Sequence, residues 1–130
     1  MDLADSFSNL SANVAAAANN CIKPWQHAVV YKNGLENLDK NNVTDDLIVI
    51  IESRSKEGVR HPENDIELEM YRSGNDLNLT MSWINKADTP ILWQGQHPVW
   101  MDGETGKRCE APKDGFLLES LARKLRSLFV

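Results

Sequence analysis

The sequence predicts an α+β fold, an antiparallel sheet of about four to six strands with an N-terminal and a C-terminal helix packed on one face. Three observations carry this. Apolar residues recur every three or four positions near both ends, two central segments alternate apolar with polar residues, and no strand–helix–strand pattern that would build a parallel crossover lies between them.

The first helix is predicted from Leu3, Phe7, Leu10, Val14, Ala17, Ala18 and Cys21, which form one stripe at helical spacing. Between Ser6 and Ile22 there is no charge; Ser8, Asn9, Ser11, Asn13 and Asn20 make up the other face, and Pro24 ends the element. The run Ala28-Val29-Val30-Tyr31 before Asn33-Gly34 reads as a first strand, and Leu35 to Asp46 as a polar loop. Leu47-Ile48-Val49-Ile50-Ile51 is apolar on both faces and is expected at the centre of the sheet.

The best-defined local feature is a hairpin. Ile66, Leu68 and Met70 alternate with Glu67 and Glu69, and Leu77, Leu79, Met81 and Trp83 alternate with Asn78, Thr80 and Ser82, with Ser73-Gly74-Asn75-Asp76 as the turn. The helices should cover the Leu/Met/Trp face, leaving the Glu/Asn/Thr/Ser face open. Ile91 to Met101 allows two short strands or one strand bent at Gly95. Asp102 to Gly106 is turn material, and the last helix, capped by Asp114, has the stripe Leu117, Leu118, Leu121, Leu125 and Leu128.

A chain of 130 residues suits one domain spanning 1–130, and its 42% apolar and 25% charged residues suit a folded core. No apolar run is long enough to span a membrane, and Asp2 and Asp5 stand where a secretory leader carries lysines, so a cytoplasmic location is expected. Cys21 and Cys109 are expected to be reduced and unpaired. The net charge of −5 argues against nucleic acid as a partner, although it is unevenly spread. Residues 1–106 carry 8 Lys+Arg against 16 Asp+Glu, whereas residues 107–130 carry 6 against 3.

Several catalytic or cofactor patterns can be tried against the sequence. Gly103-Glu104-Thr105-Gly106-Lys107 lacks the spacing and the hydroxyl residue of a phosphate-binding loop and reads as a turn. Asp39 and Asn41 sit at alternate positions as in a calcium loop, but Val43 stands where an oxygen ligand is required, Thr44 replaces the glycine and Ile50 the glutamate. His61, Glu63, Asp65 and His97 are compatible metal donors without a spacing that demands a metal. His97, Asp102 and Cys109 are the groups a cysteine hydrolase would need, without its local signature. The expectation is therefore no cofactor, no metal and no catalytic residue.

The tryptophans and the C-terminal cations say more. Trp93 and Trp100 flank Gln94-Gly95-Gln96-His97-Pro98, a bend that sets two indoles beside polar groups, a composition favoured at interfaces. For Trp83 and Trp93 packing in the core beneath the helices is the favoured reading; core and interface remain open for Trp25 and Trp100. Lys107, Arg108, Lys113, Arg123, Lys124 and Arg126 form a basic group that reads first as a solvated helix face with dipole-matched cations and otherwise as a grip for an acidic partner or a nucleic-acid backbone. The partner-binding candidates are Trp93, His97, Trp100, Arg123 and Arg126.

In size, acidity and helix–sheet–helix layout the chain resembles, in general character, the small dimeric chaperones of bacterial secretion systems. It departs from them in having no predicted helix between the middle strands, and no residue role carries over. The expected function is a non-catalytic protein-interaction module, an assembly factor, chaperone or regulator of another protein, acting as a homodimer. The alternative is a small-molecule or metal-binding enzyme using the open sheet face.

Overall fold

A computed structural model describes residues 7–32, 46–73, 76–86 and 89–129. Two helices, α1 (Phe7–Cys21) and α2 (Gly115–Phe129), flank seven strands: β1 (Gln26–Tyr31), β2 (Asp46–Arg54), β3 (Ile66–Ser73), β4 (Asp76–Trp83), β5 (Ile91–Gln94), β6 (Pro98–Met101) and β7 (Arg108–Cys109). The strands form one antiparallel sheet in chain order, so every connection joins neighbours and the sheet is a simple meander. The described residues contain no helix long and apolar enough to cross a membrane. Asn33-Gly34, the loop that follows and the trial calcium loop up to Asp45 lie outside the described residues.

Alternation sorts the side chains between two faces. Val49, Ile51, Leu68, Met70, Leu79, Met81, Leu92 and Trp100 are buried on one face, with Leu10, Val14, Ala18, Leu118, Leu121 and Leu125 of the helices completing the same core. α1 packs on β1 and against α2, and α2 packs on β4 and β5. Glu67, Glu69, Thr80 and Ser82 lie half-exposed on the opposite face, as the hairpin pattern requires.

Three sequence expectations change. Seven strands replace four to six, because β7 has two residues and no alternation to betray it, and because Gln94 pairs with Pro98 to close two strands where one bent strand was also allowed. The apolar run in β2 is second from the edge, whereas β4 occupies the centre. Ile48 and Ile50 point to the open face and stay half-buried there, so a run apolar on both sides marks two apolar faces rather than a central position. Finally, Trp93 stands half-buried on the open face instead of beneath the helices, while Trp83 is in the core at 5% exposure.

Candidate partner-binding cleft

At the end of the sheet where β5 turns into β6, the open face, the turn and the last turns of α2 come together. Trp93 pairs with Thr80 on one side and Val99 on the other. Its indole reaches back across β4, and Nε1 donates a hydrogen bond to the hydroxyl of Tyr71 on β3 at 2.6 Å. Gly95 makes this placement feasible. A methyl group there would stand 3.2 Å from the Trp93 ring and 3.3 Å from the side-chain oxygen of Asn78, tighter than ordinary contact.

Two adjoining clefts lie here, and Trp93 lines the first of them. The first, of about 420 Å³, is lined by Trp93, His97 and Arg108 with Asp76, Asn78 and Arg126 among its walls. The second, of about 400 Å³, is lined by Gln94, Gln96, Arg123, Arg126 and Ser127, so that Gln96 and Arg126 belong to both. Arg123 and Arg126 are three apart on α2 and therefore share a helix flank. The Nε of Arg126 donates to the carbonyl of Leu77 at 3.2 Å, which ties the guanidinium to the start of β4.

The electrostatics are one-sided. Three guanidinium groups face one lining carboxylate, Asp76. Among the described residues the ion pairs are made by Lys32, Arg54, Arg60, His61 and Lys86, and none by Arg108, Arg123 or Arg126. Gln94 adds a second unmet demand. It is 2% exposed, its amide nitrogen donates to the carbonyl of Gly95 at 3.0 Å, and its amide oxygen has no donor among the described residues. A buried acceptor left in that state costs about 1–3 kcal/mol.

Four of the five residues expected to bind a partner are therefore placed together: Trp93, His97, Arg123 and Arg126. Trp100 is not. Leu92 pairs with Trp100 and Trp93 with Val99, so the two tryptophans point to opposite faces of the sheet. Trp100 is 5% exposed beneath α2, and its Nε1 donates to Glu119 at 2.8 Å, so of the core and interface positions left open for it the structure shows the core, which sets it apart from the other partner-binding candidates. Asn78 and Asp76 went unrecognised because their alternation reads only as the polar side of a hairpin. Nothing in a linear pattern brings α2 to the β5–β6 turn.

His97 and Asp102, two of the three groups a cysteine hydrolase would need, stand at opposite ends of β6. His97 precedes β6 and Asp102 follows it, so a four-residue strand, on the order of 13 Å, lies between them. Asp102 instead accepts the backbone N–H groups of Glu104 at 2.8 Å and Thr105 at 3.0 Å, which lower its carboxyl pKa. Gly106, with φ of 71°, completes this turn, the role expected of the Gly103–Lys107 segment.

The remaining metal candidates serve structure at the other end of the sheet. His61 Nδ1 lies 2.9 Å from Glu63, and its ring meets Trp25 edge-on with centroids 4.7 Å apart. Asp65 takes a two-pronged bond from Arg60 at 2.9 and 2.7 Å and accepts the Ser53 N–H at 2.9 Å. Among the described residues no group of three or more His, Cys, Asp or Glu is placed to hold a metal.

Fold and site together define an α+β antiparallel meander with two adjoining cationic clefts at one end, one of them lined by Trp93. The chain belongs to the family described as a domain of unknown function, DUF8659, whose model matches residues 11–128. No curated protein and no solved structure matches it.

Proposed function

We propose that this domain is a non-catalytic protein-interaction module, acting as a homodimer, which holds a segment of another protein in the paired clefts beside Trp93. The observation that carries the reading is the convergence of Arg108, Arg123 and Arg126, without ion-pair partners among the described residues, beside an indole held in place by Tyr71. Tryptophan and arginine supply much of the energy at protein interfaces, because each offers a large stiff surface together with directed donors. The cleft walls offer donors, amides and an aromatic face, a set suited to holding a chain.

Affinity capture from the protein's own host, read by quantitative mass spectrometry, tests this. Replacing Trp93 by Ala should deplete the specifically captured protein about tenfold while the fold persists by circular dichroism. A captured set indifferent to Trp93→Ala overturns the reading. The homodimer uses the uncharged outer side of α1, where Ala12, Asn13, Ala16 and Asn20 are exposed. Light scattering should then give twice the chain mass of 14.7 kDa, and a strict monomer removes that part of the proposal.

A further inference from the structure

We infer that the occupant of the two clefts is an extended acidic peptide segment, with carboxylates on alternate residues, one received by Arg108 and His97 and the next by Arg123 and Arg126. This rests on the reading of the clefts as the partner site. Alternate side chains of an extended strand lie on one side about 7 Å apart, so one segment can address two clefts that share a wall at Gln96 and Arg126. Arginine forks match carboxylates, and these guanidinium groups have no carboxylate bound among the described residues.

Gln94 distinguishes a peptide from a bare anion. Its buried amide oxygen lacks a donor, and Gln94 lines the second cleft beside both arginines. A peptide brings backbone N–H groups alongside its carboxylates and can supply that donor; a fully deprotonated anion such as sulfate brings only acceptors. A nucleic-acid strand fits poorly, because it would run from the clefts over a body carrying twice as many acids as bases and past Asp76 at the cleft itself.

Titration calorimetry on the full chain tests the assignment with three probes: an acetylated, amidated octapeptide of alternating Glu and Ala, its Gln-for-Glu counterpart, and inorganic sulfate. The Glu peptide should bind the wild type about tenfold more tightly than the Gln peptide, and should weaken as salt rises from about 50 to about 500 mM. The double variant Arg123→Gln/Arg126→Gln should lose about tenfold in affinity for the Glu peptide. Gln94→Met should weaken the peptide while leaving any sulfate binding unchanged.

Equal affinity for Glu and Gln peptides, or no binding of either at millimolar concentration, overturns the inference. So does a Glu peptide indifferent to the arginine variant. If the captured host protein is lost with Trp93→Ala yet retained by Arg123→Gln/Arg126→Gln, the cleft remains the partner site and the acidic occupant falls.

Discussion

Trp93 owes its position to four neighbours that fill three roles. Thr80 and Val99 hold its strand in register, Tyr71 accepts its N–H, and Gly95 leaves room for the ring beside Asn78. Two substitutions separate these effects. Tyr71→Phe keeps the packing and removes the acceptor, so it should cost about 1 kcal/mol by urea denaturation and shift the tryptophan emission. Gly95→Ala places a methyl against the stiff indole and should displace it, changing the emission more than Tyr71→Phe does while costing about 1–3 kcal/mol. An emission spectrum unchanged by Gly95→Ala would show that the ring does not lie where the close approach places it.

The helix α2 joins the core to the cleft, since Leu118, Leu121 and Leu125 are fully buried while Arg123 and Arg126 of the same helix line the clefts. Truncating Leu121 to Ala should therefore destabilise the protein by about 2–5 kcal/mol in urea, by losing burial and opening a cavity. The start of the helix is equally constrained. A methyl at Gly115 would stand 2.9 Å from the Trp100 ring and 3.1 Å from Pro112, so Gly115→Ala should cost about 1–3 kcal/mol even though alanine favours helices. A neutral or stabilising result would mean that helix propensity, and not the fit against Trp100, governs this end.

The molecule as a whole should lose stability on the acid side in two steps. Burial lowers the pKa of His27 below its ordinary 6.5, with Asp65 opposing. The unfolded chain then takes up a proton where the folded chain does not. The His27 contribution is therefore full above about pH 6.5 and is lost as the pH falls from there towards the folded value. Replacing His27 by Gln should shrink the fall in urea midpoint between about pH 7 and pH 5.

The second step belongs to Asp65. Burial alone would raise its pKa, but the Arg60 guanidinium and the Ser53 N–H hold the ionised form and bring it below its ordinary 3.8. That contribution is present above 3.8 and is lost as the pH drops through the folded value. Asp65→Asn keeps an acceptor for Ser53 but loses the forked bond to Arg60. It should cost about 2 kcal/mol at neutral pH and flatten the lower step.

Local pattern alone determined the two helices, the β3–β4 hairpin with its sorted faces, and the turn at Gly106, because each of these rests on periodicities and φ preferences that neighbouring residues carry. It also singled out Trp93, His97, Arg123 and Arg126. What it could not determine was which face each tryptophan takes, since that depends on the register of a tight turn: one step in pairing separates Leu92–Trp100 from Trp93–Val99 and sends the two indoles to opposite sides.

Tertiary structure likewise decided that β4 is central and that β7 exists, because a meander assigns positions by chain order and a two-residue strand has no pattern of its own. It alone made the clefts. Residues near 76, 94 and 126 meet there only because the sheet and α2 bury a common core, and the polar side chains at its margin arrive together as a consequence of that packing.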